Sequence, residues 1–185
     1  EHFIVQLIKL EAAKSLGLDI SSFLFEKFEV EHPVFSAILR VMETKEYNQL
    51  KSVPKGYFAK RLGLHESYET SLFAKAILLG LLEEKAGKYA SKLLHTDIRY
   101  ANRITSQRLF WYRHAVKRLE SRAFSTTDHA FGNLVYSASK KEQEKIWQRY
   151  LSFFNDVRGI INSGDEPEDV YVLNVQLMPV SKAKI

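Results

Sequence analysis

The segment Tyr57-Phe58-Ala59-Lys60-Arg61-Leu62-Gly63-Leu64 carries the clearest structural signal in this chain, together with Leu78-Leu79-Gly80-Leu81-Leu82 downstream. A helix-turn-helix needs a small residue where its helices cross, a glycine at the tight turn and spaced apolar residues that hold the pair together. Ala59, Gly63, Leu64 and Leu72 meet these needs. The pattern therefore predicts two helices joined at Gly63.

The residues after this turn predict a longer helix and then a hairpin. Apolar side chains recur at helical spacing over residues 66–79, and Gly80 ends the helix. Residues 83–89 are a polar stretch that contains a glycine and lies between two short strand candidates, which is a hairpin signal. Helix, turn, helix and hairpin in this order indicate a winged helix. The core positions expected on the longer helix are Leu72, Phe73, Ala76 and Leu79.

Upstream of this unit, two further helices are expected. Residues 2–16 predict a helix that stops at Gly17, and Pro33–Met42 predict another after a short connection. Pro54 suits the first turn of the helix that ends at Gly63.

Downstream, residues 99–122 predict a long basic helix and residues 123–131 a strand. Ser139 and Glu142 form a capping-box pattern that opens another helix. An acidic loop at 163–169 leads to residues 170–178, which alternate between apolar and polar side chains and predict a strand. The apolar stripe expected on the helix is Ile146, Tyr150, Phe154, Val157 and Ile161.

These elements predict an α+β, mainly α fold: a winged helix-turn-helix followed by a long basic helix and a strand-helix-strand element. The expected parts are an N-terminal helical segment at 1–32, a winged-helix unit at 33–98 and a C-terminal element at 99–185.

Composition limits the classes of protein to which this chain can belong. The 185 residues include 27 basic and 22 acidic side chains, a net charge of +5, and no cysteine. The absence of cysteine excludes disulfides and thiolate metal sites, and no run approaches the roughly 18 apolar residues of a membrane span. We therefore expect a cytoplasmic protein that does not enter a membrane. The chain begins at Glu1 rather than Met, so we also expect a fragment of a longer protein.

The second helix of the winged-helix unit is the expected binding element. Its outer face would offer hydrogen-bond donors, and lysines around it would reach phosphates. Two features argue against DNA binding. Glu66 and Glu69 lie in the first turn of this helix, and residues 66–79 contain none of the Arg, Asn or Gln that form paired hydrogen bonds with base edges. A scaffold or a protein-docking unit is the alternative. The residues assigned to the site are Lys55, Lys60, Arg61, Ser67, Thr70, Ser71, Lys75 and Lys88.

The basic helix is a second binding candidate, because residues 99–125 carry seven basic and one acidic side chain. Such a helix can lie along a phosphate backbone or receive an acidic partner, including the loop at 163–169 of this chain. Alternatively, its cations are solvated while its apolar side chains face the core. The residues assigned to binding here are Arg103, Arg108, Arg113 and Lys117.

No enzyme signature is present in the sequence. The six histidines show no metal-ligand spacing, and no glycine-rich nucleotide loop or nucleophile elbow occurs. The sequence therefore predicts a protein that is not an enzyme and uses no cofactor or metal.

The chain resembles a known family from about residue 33 to residue 182. Arg122-Ala123-Phe124-Ser125-Thr126-Thr127 and the segment from Asp169 to Val180 look like the C-terminal domain of a large bacterial paralogous family of unknown function, whose members end in a strand of the type VYQLNIQLFPLT. The match departs at Val172, Met178 and Ser181, where the family more often has Gln, Phe and Thr. The resemblance implies a protein similar to transcriptional regulators, and no catalysis.

Three hypotheses about function follow. The first is a regulator that binds DNA through the winged helix or docks to a regulatory partner. The second is a protein-interaction or signalling adaptor that uses the same scaffold without DNA. The third, a sensor of a small molecule, needs an apolar pocket that a sequence cannot show. The partners to consider are nucleic acid, an acidic protein and a second copy of the chain.

Overall fold

The structure, a computed structural model, describes residues 20–91, 101–121 and 130–180, and the side chains within them except at 20–23 and 101–104. The described part is mainly helical with one two-stranded antiparallel sheet, which confirms the predicted α+β, mainly α class. Its helices and strands are α1 (Ile20–Glu31), α2 (Phe35–Val41), α3 (Lys45–Gln49), α4 (Tyr57–Leu62), α5 (Glu66–Leu78), β1 (Leu82–Lys85), β2 (Lys88–Ser91), α6 (Ala101–Ser121) and α7 (Lys140–Asn162).

The chain divides into two compact units. Among the described residues, the first comprises residues 20–91, 101–116 and 168–180, and the second comprises residues 117–121 and 130–167. The three-part division expected from the sequence stays a prediction.

The hydrophobic core of the first unit is built by helices α1 to α5 and strand β1. Phe58 of α4 is fully buried, and its ring centroid lies 5.0 Å from that of Phe73 on α5 and 5.6 Å from that of Tyr47 on α3. Burying one such side chain is worth about 1.5–3 kcal/mol. The predicted core positions Leu72, Phe73 and Ala76 are buried as expected.

The turn between α4 and α5 depends on a glycine. Gly63 has φ of +66°, a left-handed conformation that residues with a Cβ rarely adopt. The N–H of Leu64 then donates to the carbonyl of Ala59 at 2.8 Å, which closes the end of α4. Gly80 ends α5 in the same way, with φ of +70°. Both glycine stops agree with the sequence prediction.

The hairpin after α5 is fixed to the helices. Ala86 and Gly87 both have positive φ, as a tight two-residue turn between twisted strands requires. The hydroxyl of Tyr47 donates to the carbonyl of Tyr89 at 2.6 Å and accepts from the N–H of Tyr89 at 2.8 Å. The N–H of Val53 donates to the carbonyl of Gly87 at 2.8 Å. The hairpin is therefore held against α3 and the loop that follows it.

Two helices were not expected from the sequence. Helix α1 lies where the prediction had a short connection, and α3 occupies residues that were given no element. Pro54 precedes α4, which begins after Gly56, and so does not lie in its first turn. The helix predicted at 2–16 lies outside the described residues.

The C-terminal segment differs from its prediction. Residues 170–178 form no strand and pair with no other strand in the described part of the chain. Side chains hold this segment to α6 instead: the amide of Asn174 donates to the carbonyl of Trp111 at 3.2 Å, and the hydroxyl of Tyr112 donates to the carbonyl of Val175 at 3.3 Å. Alternating apolar and polar residues form a strand only where a neighbouring strand supplies the hydrogen-bond partners. The neighbour expected at 123–131 lies mostly outside the described residues.

Candidate nucleic-acid interface

Helix α5 presents one face to the core and one to solvent. At 100° per residue, Leu72, Phe73 and Ala76 share the buried face. The opposite side, which we call the outer face, consists mostly of small and polar residues, and all of its residues are exposed. Together with Lys55, His65 and Glu66, most of the outer face lines a shallow concave surface. The outer face comprises Ser67, Thr70, Ser71, Ala74, Lys75 and the apolar Leu78.

The first turn of α5 is capped by the side chain of the residue that precedes it, His65. The ring Nδ1 of His65 accepts the backbone N–H of Ser67 at 3.3 Å and lies 2.7 Å from the hydroxyl of Ser67. The hydroxyl of Thr70 donates to the carbonyl of Glu66 at 3.1 Å. Ser67 and Thr70 are exposed residues of the outer face, and a hydroxyl that donates one hydrogen bond can still accept others.

Glu66, the first acid of this turn, is paired with a lysine. Its carboxylate lies 2.7 Å from the ammonium of Lys55. The hydrogen bond to Glu66, and then its charge, raise the pKa of Lys55. Because the pair is exposed, it adds little stability. Its importance here is that the negative charge of Glu66 is offset where the outer face begins.

Glu69, the second acid, does not face solvent. Its side chain is buried with 8% of the residue exposed, and its carboxylate accepts the backbone N–H of Ala59 at the start of α4. Burial raises the pKa of Glu69, while hydrogen bonds from the backbone of Ala59 and Phe58 lower it. The sequence argument that both acids would confront a DNA groove therefore does not hold for Glu69.

Arg61, which was assigned to the binding surface, is used inside the fold. Only 18% of its side chain is exposed, and it forms ion pairs with Glu46 and, at 3.1 Å, with Asp169. It also donates to the carbonyl of Glu168 at 3.1 Å. The end of the acidic loop thus contacts α4. Arg61 anchors the C-terminal segment and is not available for phosphate.

The other predicted lysines differ in their surroundings. Lys60 and Lys75 are exposed, and neither makes an ion pair within the described part of the chain. Lys88 is half-buried: it donates to the carbonyl of Asn48 at 3.0 Å and lies 5.2 Å from the ring centroid of Tyr47. Of these lysines, Lys60 and Lys75 therefore fit the predicted role of contacting phosphate best.

The basic helix is confirmed as α6, but its cations do not form one stripe. Arg108, Arg113 and Lys117 are exposed and make no ion pair among the described residues. At 100° per residue, Arg113 and Lys117 are about 40° apart, whereas Arg108 is about 140° from Arg113. The side chain of Arg103 lies outside the description.

Sequence reasoning missed three features of this surface. His65 caps α5 and lines the concave surface, although histidine is not a usual capping residue. Ala74 lies seven residues after Ser67, a helical spacing that would have placed it on the outer face. Ile77 and Leu78 at the end of α5 are 39% and 68% exposed.

Neither a metal site nor a membrane-spanning helix is found where the structure describes the chain. Within residues 20–91, 101–121 and 130–180, acidic and histidine side chains do not gather into a group that could hold a metal ion. The helices of the same ranges lack the combined length and apolar character that crossing a membrane demands.

Comparison with known proteins identifies a family. The family model described as "Domain of unknown function (DUF4423)" matches residues 19–180, which is most of the chain. Neither the curated proteins nor the solved structures gave a match.

Proposed function

We propose that this chain, which belongs to the DUF4423 family, is a transcriptional regulator that binds DNA. In this proposal α4, α5 and the hairpin act as a winged helix, and α5 enters the major groove with its outer face towards the bases. The observation that carries the proposal is the position of the two acidic side chains in the first turn of α5. Glu69 is buried against α4, and Glu66 is paired with Lys55.

The side chains of the outer face suit close contact with base edges. Serine and threonine hydroxyls can hydrogen-bond to several bases, and alanine or the threonine methyl group can contact the methyl group of thymine. Ser67, Thr70, Ser71 and Ala74 are short enough for the helix backbone to approach the groove floor. Because paired hydrogen bonds from Arg, Asn or Gln are missing from α5, we expect modest sequence discrimination.

Cations around α5 provide phosphate contacts. Lys60 on α4 and Lys75 on α5 are exposed and unpaired in the described chain, whereas Lys55 is paired with Glu66. Arg113 on α6 is a further exposed cation. Each phosphate that a lysine or arginine neutralises releases counterions, so affinity falls steeply with salt.

A substitution on the outer face tests the geometry. Ser71→Glu places a carboxylate on the solvent side of α5 without touching the core, and we expect at least a tenfold loss of affinity for duplex DNA. Ser152→Glu on α7 is the matched control, since that serine is also exposed on a helix and gains the same charge. Equal affinity of the two variants would remove α5 from the proposed interface.

A second candidate is a protein-docking unit, favoured by the exposed side chains of Ile77 and Leu78. Exposed apolar residues at a helix end contribute to protein interfaces more than to the grooves of DNA. This candidate predicts no binding to DNA at low salt. It also predicts that Leu78→Asp abolishes capture of a protein partner.

A further inference from the structure

Two rows of side chains run along the outer face of α5. Thr70, Ala74 and Leu78 follow one another at intervals of four residues, and residues at this spacing adjoin on the surface of a helix. We call them the methyl row, because each carries a terminal methyl group and all three are exposed. The adjacent polar row, with the same spacing, consists of Ser67, Ser71 and Lys75.

The first hydroxyl of each row has already donated its hydrogen. The hydroxyl of Thr70 donates to the carbonyl of Glu66 at 3.1 Å. Because Nδ1 of His65 accepts the backbone N–H of Ser67, the hydroxyl of Ser67 is the donor in its 2.7 Å contact with that nitrogen. Thr70 therefore offers a bound molecule its methyl group and an acceptor oxygen, and Ser67 offers an acceptor oxygen.

This chemistry matches an A·T base pair better than guanine. The major-groove edge of guanine presents two acceptors, N7 and O6, which are read by hydrogen-bond donors. Thymine is the one base of the four whose edge carries a methyl group, and apolar side chains contact that group. Its partner adenine presents the N6 amino group, which an acceptor oxygen can bind. A methyl row beside hydroxyl acceptors has the groups that such a pair requires.

We infer that the outer face of α5 recognises thymine in duplex DNA, by contact between the methyl row and the C5 methyl group in the major groove. The inference rests on the proposed DNA binding and adds the base that is recognised. Thr70 and Ala74 both line the shallow concave surface of the outer face, which gives a projecting methyl group a recess to enter. Lys60 and Lys75, which are exposed and make no ion pair within the described residues, attract the phosphates on either side.

Replacing thymine by uracil tests the inference, because it removes only the C5 methyl group from the DNA. Two labelled duplexes share one A·T-rich sequence, and the second carries uracil in place of every thymine. Fluorescence polarisation with the whole chain, at about 50 mM salt where phosphate contacts are strong, gives the two affinities. We expect the thymine duplex to bind at least about threefold more tightly, since burying one methyl group is worth roughly fourfold in affinity.

Thr70→Ser removes a methyl group from the protein and keeps the hydroxyl that donates to Glu66. The variant should bind the uracil duplex like the wild type and the thymine duplex more weakly, so that the preference for thymine narrows by at least about twofold. Thr105→Ser on α6 is the matched control, because it removes the same group from an exposed threonine outside the outer face. The control should keep the wild-type preference.

Failure of this inference is distinguishable from failure of the proposed function. Equal affinity of the wild type for the two duplexes would overturn thymine recognition and leave DNA binding standing. A preference for thymine that Thr70→Ser leaves unchanged would also overturn it, because the preference would then arise from the shape and stiffness of the DNA. No binding to either duplex would overturn the proposed function and this inference with it.

Discussion

The buried carboxylate of Glu69 on α5 accepts a hydrogen bond from the backbone N–H of Ala59 on α4. The first N–H groups of a helix have no partner within that helix and must be satisfied from outside. A carboxylate at this end also meets the positive end of the helix dipole. One side chain therefore fixes α5 to the start of α4 and removes a negative charge from the surface that we assign to DNA.

Removing this carboxylate should destabilise the first unit. Glu69→Ala leaves the N–H of Ala59 buried without its acceptor, and an unsatisfied buried group costs about 1–3 kcal/mol. Glu69→Gln retains an acceptor oxygen and should cost less. Urea unfolding of the two variants and the wild type measures the difference. Equal stability of Glu69→Ala and the wild type would mean that the hydrogen bond does not hold α4 to α5.

The left-handed turn at Gly63 is the second point to test. Nothing lies within 4 Å of a Cβ built on Gly63, so Gly63→Ala has room and suffers only from its φ of +66°. We expect a loss of about 1–2 kcal/mol. Gly159 within α7 also has open space and does not have positive φ. Gly159→Ala should be neutral or stabilising by up to about 1 kcal/mol. A Gly63→Ala variant that melts like the wild type would show that the left-handed backbone at residue 63 does not destabilise an alanine there.

The contact between Arg61 and Asp169 joins residues distant in sequence. A double-mutant cycle with Arg61→Ala and Asp169→Ala should give a coupling free energy of about 1 kcal/mol, because the Arg61 side chain is mostly buried and hydrogen-bonded. Arg40 and Glu43 form an exposed pair at 2.7 Å, and their cycle should give less than about 0.5 kcal/mol. Equal coupling in the two cycles would mean that Arg61 does not fasten the C-terminal segment.

Acid should weaken the first unit through His32. Burial, and then the charge of Lys75, lower the pKa of His32 below its usual value, against a smaller opposing effect of Glu31. The unfolded chain therefore binds a proton more readily than the folded chain. His32 contributes stability above about pH 6.5 that is lost as pH falls through its folded-state pKa.

Urea unfolding between pH 7.5 and pH 5.5 measures this effect. His32→Gln should reduce the loss of stability over the range, since the titrating ring is gone. Identical pH dependence in the variant and the wild type would exclude His32 as the source. Nδ1 of His32 lies within hydrogen-bonding distance of the hydroxyl of Tyr68, at 3.1 Å.

Local signals in the sequence predict local structure well. The stops at Gly63 and Gly80, the hairpin and the capping box at Ser139 each depend on residues within a few positions of one another, and all are present. Helix α1 was missed although Phe25 and Phe28 are three residues apart and buried, because one short repeat does not distinguish a helix from a connection.

Contacts between distant residues were harder to anticipate. Glu69 precedes Leu72, Phe73 and Ala76 by three, four and seven residues, so helical spacing already placed it on the buried face. Its charge in a first turn made a surface position the more usual expectation. The pairing of Arg61 with Asp169 has no local signature, since a separation of 108 residues is closed only by the folded chain.

The most direct test of the proposed function is fluorescence polarisation of labelled duplex DNA with the wild-type chain at about 50 and 200 mM salt. Several phosphate contacts cost orders of magnitude in affinity over such a range. The account predicts clear binding at the lower salt that falls by at least tenfold at the higher. No binding at 50 mM salt would contradict it.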